Sequence, residues 1–330
     1  MQKKLLSIVV PVYNEQEVID ETFRRLSDVF GDYFMQVEYI FINDGSKDDT
    51  YRKLTQIAKN RPEVRVINFA RNFGHQIAIT AGMDYAKGDA VVIIDADLQD
   101  PPEVILKMVE RWQEGYEVVY GKRLQREGET FFKKFTAKMF YRFLDSMTDV
   151  KLPVDVGDFR LIDRKVCDTM KRLPERSRYV RGLVSWVGFK QTSVEYRREK
   201  RFAGETKYPL KRMVKLAGDG IFSFSYKPLK LATFTGMIIS AFSFIYLIVV
   251  LIQKFTKNDV ASGWASSMAV SLFFNGVMLI VLGIMGEYVG RIYEEVKARP
   301  LYIVGELLGF DTKNIEENDK TDKDEGKNIG

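Results

Sequence analysis

Asp95 and Asp97 stand two residues apart at the end of the apolar run Val91-Val-Ile-Ile, with Gln99, Asp100, Pro101, Pro102 and Glu103 close behind. Strand residues alternate faces, so carboxylates at i and i+2 project to one side, where a shared divalent cation could hold them. That spacing suits a metal and diphosphate site. An acidic turn that only caps the helix after Pro101 would have the same composition. Two more polar constellations follow apolar runs: Pro11-Val-Tyr-Asn-Glu15 and Asn43-Asp-Gly-Ser46.

The elements that must position these residues alternate along the first third of the chain. Strand patterns occupy residues 5–10, 37–42, 64–68, 90–94 and 117–120, and helical patterns 15–30, 48–59, 76–86 and 102–113. In the first helical stretch Val18, Ile19, Thr22, Phe23, Leu26, Val29 and Phe30 recur at helical spacing. Such alternation predicts a mostly parallel sheet with helices on both faces. Ligands of such sheets bind beyond the carboxyl ends of the strands, so all three constellations fall on one rim. Residues 125–228 continue this domain.

Two long stretches differ in kind. Residues 231–252 and 264–285 contain no charge and are apolar all round, each long enough to cross a hydrocarbon core of ~30 Å. Residues 253–263 between them are too few for a domain, so the pair predicts a transmembrane hairpin. Lys211, Arg212, Lys215, Lys227 and Lys230 precede it, and Arg291, Lys297 and Arg299 follow it. By the positive-inside rule both ends are expected in the cytoplasm, the chain being a multi-pass protein of the cell membrane. The N-terminal apolar run is too short for a signal peptide. Cys167 is the single cysteine, which excludes an internal disulfide or a cysteine metal cluster and suits a buried, inert thiol. The net charge is +5, but residues 311–330 carry seven acids against four lysines, leaving +8 on residues 1–310. The tail is expected to be disordered and the basic remainder to lie against anionic lipid, with residues 208–226 along the membrane surface. No nucleic-acid reader motif is present, so no nucleic acid partner is expected.

In this order, Pro11-Val-Tyr-Asn-Glu15, Asp44-Gly-Ser46, Asp95-Ala-Asp97-Leu-Gln99-Asp-Pro-Pro and a two-span C-terminus, the chain resembles family 2 glycosyltransferases of the GT-A fold. Within them it is similar to bacterial polyprenyl-phosphate glycosyltransferases, relatives of dolichyl-phosphate mannose synthase. The resemblance implies a Rossmann-like catalytic domain over residues 1–206, a membrane-surface segment over 207–230, the two spans, a cytoplasmic juxtamembrane segment over 286–310 and a tail from 311. It places a nucleotide sugar at Pro11, Tyr13, Glu15, Asp44 and Asp95, and Mg²⁺ or Mn²⁺ at Asp95, Asp97 and Gln99, hard oxygen ligands suited to either ion.

A lipid phosphate monoester has a second pKa near ~6 and is already a nucleophile at neutral pH. It needs cations rather than a general base. Lys122, Arg123, Arg126, Lys133, Lys134, Arg198, Arg201 and Lys207 are available, Arg123 following the fifth strand and Arg201 with Lys207 in a stretch that resembles the family's loop over donor phosphates. Arg123 and Asp158 are the catalytic candidates; Arg126, Arg198, Arg201 and Lys207 are the phosphate-binding ones. Asp158 sits where relatives place an acceptor-facing carboxylate, yet it would repel a phosphate. Orienting the sugar or Arg160, or pairing with a neighbouring arginine, remain open for it. His75, the single histidine, is expected to pack or cap, although the Asn72-Phe-Gly turn before it could cradle a phosphate. The Gln-x-x-Arg-Trp pattern of processive synthases is absent around Trp186.

The expected activity is inverting transfer of one sugar, from UDP-glucose or UDP-N-acetylglucosamine, to undecaprenyl phosphate at the cytoplasmic face. The alternatives are transfer to a hydroxyl of a glycolipid or polysaccharide, and a non-catalytic sugar-nucleotide-binding subunit. A homo-oligomer, a downstream flippase and an outward-facing transferase are the expected partners.

Overall fold

The computed structural model describes residues 4–31, 35–124, 156–176, 178–199, 225–256 and 263–310. The first half follows the expected alternation: β1 (Leu5–Val12), α1 (Ile19–Phe30), β2 (Gln36–Asn43), α2 (Thr50–Asn60), β3 (Val64–Phe69), α3 (His75–Tyr85), β4 (Ala90–Ile93), α4 (Val104–Gln113) and β5 (Val118–Arg123). Then come β6 (Val156–Asp163), α5 (Arg164–Lys171), α6 (Val180–Trp186), β7 (Gln191–Tyr196), two long helices, α7 (Lys227–Thr256) and α8 (Trp264–Lys297), and a last strand, β8 (Val304–Leu308).

The eight strands form one sheet in the order β7-β5-β6-β4-β1-β2-β3-β8. The central four pair in parallel, β4 with β1, β1 with β2 and β2 with β3. Alternation then sorts the core. Leu6, Ile8, Val10, Phe41 and Val92 face α1 and α4, while Val9, Ile40, Ile42, Val91 and Ile93 face α3, α5 and α6. β1 and β4 are sealed on both faces, which is why they are nearly continuous apolar runs, whereas β3 carries the half-buried Arg65 and Asn68.

Three features depart from the expectation. β6 enters antiparallel between β4 and β5, so the fifth strand is not beside the fourth. Asp158, Phe159, Arg160 and Leu161 alternate polar and apolar as a half-exposed strand would, yet all four are buried. The segment expected as juxtamembrane, 286–310, returns to the catalytic domain: β8 pairs antiparallel with the β3 edge, Tyr302 stacks on Phe69 at 5.2 Å, and its hydroxyl donates to Asp84 Oδ2 at 3.0 Å. Finally, α1 starts at Ile19 rather than residue 15, because Val18 and Ile19 N–H groups both close on the Glu15 carbonyl in a single turn.

α7 and α8 extend beyond the expected spans, and large apolar side chains point outward along both, including Phe242 at 68% and Leu279 at 69% exposure. Both pass as candidate membrane spans by length and composition. Apolar side chains on this scale are stable in lipid rather than in water. The membrane-surface segment falls largely on residues 207–224, outside the described residues, as does the tail.

Candidate active site

The loops after β1, β2, β3 and β4 meet on one rim and are bonded to one another. Asn14, at φ +53°, donates its N–H to Ser46 Oγ and accepts from the Lys47 N–H, both at 2.9 Å; asparagine tolerates this left-handed conformation. Glu15 N–H donates to Thr50 Oγ1 at 2.9 Å. Pro11 is buried at the end of β1, and Tyr13 stands exposed at the rim.

Asp44 fixes the next loop. Its carboxylate accepts from Phe73 N–H at 2.6 Å, Gly74 N–H at 2.9 Å and Asn72 Nδ2 at 2.9 Å. Burial raises its pKa, and the Phe73 and Gly74 N–H groups act the other way. Gly45, at φ +66°, lies so close to this loop that a Cβ would come within 2.5 Å of the Arg71 carbonyl carbon. The residue predicted as a nucleotide contact is therefore almost wholly buried and seats the loop that begins α3.

That loop delivers His75. Its Nε2 lies 3.2 Å from Asp158 Oδ2 and 3.4 Å from Asp95 Oδ1. Continuing the β4–β6 register past Ile93↔Arg160 brings Asp95 opposite Asp158, so the imidazole sits at the junction of the two strands. Burial works against a charged ring, but Asp95 and Asp158 outweigh it and raise the His75 pKa to about 9. The expected packing or capping role is thus corrected: a single histidine on a polar turn gave no hint of the two carboxylates, which arrive from the turn after β4 and from β6, 20 and 83 residues away.

Asp158 is held still more firmly. Arg181 Nε and Nη2 donate to its Oδ1 and Oδ2 at 2.8 and 2.9 Å, and Gln76 Nε2 reaches Oδ2 at 3.3 Å. Burial would raise its pKa, but Arg181 and His75 hold it well below the ordinary carboxylate range. Its carboxylate is a paired anion rather than an open base. Nor does it orient Arg160, whose guanidinium donates to the Asp158 and Gly157 carbonyls and whose pKa burial lowers to about 10.

β4 ends at Ile93, so Asp95 and Asp97 lie in the turn that follows and strand alternation does not place Asp97. The turn is built by Leu98 at φ +57°, a left-handed conformation costing about 1–2 kcal/mol for such a residue. Thr22 Oγ1 steadies it by donating to the Ala96 carbonyl at 2.7 Å, and Gln99 N–H donates to Asp97 Oδ1 at 3.1 Å. Asp95 Oδ1 is sealed from solvent and accepts no hydrogen bond. Burial pushes the Asp95 pKa up to about 6, against His75 and with the help of Asp158, Asp100 and Asp97. Among the described residues no three His, Cys, Asp or Glu side chains converge as a metal cage. A carboxylate with a buried oxygen that accepts no hydrogen bond, set beside Asp97, Asp100 and Asp158, nevertheless suits a hard cation that takes its remaining ligands from a phosphate-bearing substrate, the usual habit of Mg²⁺.

The cations divide. Arg123, at the end of β5, and Arg198, just past β7, both turn toward Asp100, at 3.5 Å each. Lys122 pairs with Glu195 at the surface. Arg126, Lys133, Lys134, Arg201 and Lys207 lie outside the described residues. Asp100 and Arg181 are site residues that sequence reasoning left without a role; the proximity of Asp100 to the aspartate pair was the one available signal.

The glycosyl transferase family 2 profile matches residues 7–170, and the GtrB C-terminal hairpin profile matches residues 227–292. The chain is 59% identical over 309 residues to the uncharacterized glycosyltransferase YkcC of Bacillus subtilis, covering 94% of this chain and 96% of that protein. It is 42% identical over 299 residues to the bactoprenol glucosyl transferase of Shigella phage SfII, covering 91% and 97%. Among solved structures, glucosyl-3-phosphoglycerate synthase from Mycobacterium tuberculosis with Mn²⁺, UDP-glucose and phosphoglyceric acid aligns at TM-score 0.45 and 19% identity, over 66% of this chain and 78% of that one.

Proposed function

The chain belongs to glycosyl transferase family 2 and is a membrane-associated glycosyltransferase, and from that premise we propose that it transfers glucose from UDP-glucose to a polyprenyl phosphate, undecaprenyl phosphate in bacteria, with inversion. The names of its relatives support the sugar and the lipid. The observation that carries the acceptor is the state of Asp158. A hydroxyl acceptor needs a carboxylate free to take its proton, and this one is bound on both oxygens by Arg181. A phosphate acceptor is already anionic and needs none.

In this reading Pro11, Tyr13 and Glu15 line the nucleoside pocket, and Asp44 supports it by fixing the 71–74 loop. Asp95, Asp97 and Gln99 would hold Mg²⁺ or Mn²⁺ against the diphosphate, and the ion when bound supplies neutralisation of the leaving nucleotide. Arg123 and Arg198 offset the remaining charge as the lipid phosphate meets the donor. The Asp95–His75–Asp158–Arg181 chain keeps the floor of the site rigid and nearly charge-balanced, so that it does not repel an incoming anion. The phosphate attacks the anomeric carbon in line, through an oxocarbenium-like transition state. The helical hairpin holds the lipid at the depth of the site, which faces the cytoplasm because the flanks of the spans are rich in Lys and Arg.

The test is transfer of radiolabel from UDP-glucose, UDP-N-acetylglucosamine, UDP-galactose and GDP-mannose to undecaprenyl phosphate in detergent, with and without EDTA, by wild type and Asp97→Asn. A lipid product from UDP-glucose that disappears with EDTA and with the substitution is expected. Labelling of a diacylglycerol or glycan hydroxyl instead would overturn the acceptor; a product from another donor alone would overturn the sugar.

A further inference from the structure

The turn that carries Asp95 and Asp97 ends in a carboxylate with no place in the scheme above. Asp100 is fully buried, and the side chains drawn to its carboxylate are two guanidinium groups and a hydroxyl. Tyr196 OH donates to Oδ1 at 2.5 Å, Arg198 Nε lies 3.5 Å from the same oxygen, and Arg123 Nη2 lies 3.5 Å from Oδ2. Arg123 Nε in turn donates to Tyr196 OH at 3.2 Å. Neither Asp100 Oδ2 nor Arg198 Nε makes a hydrogen bond, although both are sealed from water.

Three elements have been shaped to allow this meeting. Gly157 on β6 leaves room for the Arg123 guanidinium, since a Cβ there would lie 2.5 Å from Nη2. Gly121 on β5 does the same for the Tyr196 ring, at 2.8 Å. The Glu199 N–H donates to the Gln99 carbonyl at 2.9 Å and pins the segment carrying Arg198 to the turn. Two guanidinium groups share one carboxylate, with about 30% of the Arg123 and 28% of the Arg198 side chain open. A packing device would close over its charges; this one leaves part of both guanidinium side chains open beside the aspartate rim.

We propose that Asp100 is a positioning residue that holds Arg123 and Arg198 as a paired clamp for a phosphate group of the substrates. Guanidinium groups bind phosphate best when their donors are fixed in place, because the side-chain entropy has been lost before the ligand arrives. Asp100 and Tyr196 supply that restraint, and the partial exposure supplies the access. The clamp rests on the transferase reading given above, and the phosphate is either the donor's diphosphate or the lipid's monoester.

The experiment uses the full-length protein in detergent and separates those sources. KM for UDP-glucose is measured at saturating undecaprenyl phosphate, and the reverse, for wild type, Asp100→Asn, Tyr196→Phe and Gly157→Ala. In Asp100→Asn one KM is expected to rise at least tenfold while kcat at saturation falls by less than threefold; the KM that moves identifies the phosphate. Gly157→Ala, which displaces Arg123 and leaves Asp100 in place, is expected to move the same KM. A merely structural Asp100 would lower the melting temperature and leave both KM values within twofold, which would overturn the proposal. If Asp100→Asn does not fold, Gly157→Ala and Tyr196→Phe decide, and unchanged KM values in both would overturn it. Should the wild type label no lipid phosphate, the acceptor reading fails separately, and calorimetric titration with UDP and with inorganic phosphate then reads the clamp. A tenfold loss of affinity for either probe in Asp100→Asn supports it, and unchanged affinity for both refutes it.

Discussion

Arg181→Met tests whether the floor of the site is held together by charge. Asp158 has 5% of its side chain exposed and Arg181 29%, and the two hydrogen bonds between them are bidentate, the strongest arrangement available to this pair. Removing one member of a buried ion pair costs about 3–5 kcal/mol, because the other charge stays behind without its partner. His75 and Gln76 still reach Asp158 Oδ2, which favours the low end, about 3 kcal/mol. At roughly 2–4 °C per kcal/mol for a domain of this size, the apparent melting temperature should fall by about 6–12 °C. Unfolding is followed by intrinsic fluorescence of the full chain in detergent. Asp158→Asn and the double variant complete a cycle, in which the double variant should be more stable than the sum of the single losses predicts, by more than about 1 kcal/mol. A melting temperature within about 2 °C of wild type for Arg181→Met, or strict additivity in the cycle, would refute the argument that the pair is buried and coupled.

Gly45→Ala places a methyl group against the Arg71–Asn72 backbone in a left-handed conformation, so a loss of at least about 1–2 kcal/mol is expected, with a larger fall in transfer rate because the displaced loop carries His75. Wild-type melting and activity together would contradict this role for the glycine. Cys167 is fully buried, donates to the Met83 carbonyl at 3.4 Å, and has its pKa raised to about 11 by burial, so a disulfide reagent at pH 8 should label it only after denaturation. Because the folded thiol holds its proton more tightly than the unfolded one, its contribution to stability is complete below the unfolded pKa of about 8.5 and is lost as pH rises toward 11. Rapid labelling of the native protein would show the thiol to be accessible. A chain ending at Arg299 lacks β8 and uncovers the β3 edge, so it should melt lower and aggregate more readily; unchanged melting and a monodisperse elution profile would show that the strand is dispensable.

The sequence by itself determined the central β1–β4 repeat, because strands buried on both faces read as largely apolar runs, and these alternate with stretches of helical length and pattern. It also determined the pair of long apolar helices, candidate membrane spans, since the length of an uncharged stretch is a local property, and it named the rim constellations around Asp44 and Asp95. Tertiary structure alone decided what those residues touch. His75, Asp95, Asp158 and Arg181 come from four separate elements, and each looks like an ordinary polar residue until strand β6 is inserted beside β4. The order of the strands is a long-range choice, fixed by which edges can pair once the helices have packed, and the polar-apolar alternation from Asp158 to Leu161 does not say which neighbours β6 takes or that its polar side chains are buried. The same holds for β8, whose short run after a long apolar helix acquires meaning only when it meets the open edge of β3. Charges buried against one another cancel in space while remaining polar in sequence, and that is why the core of the fold was legible and the wiring of its site was not.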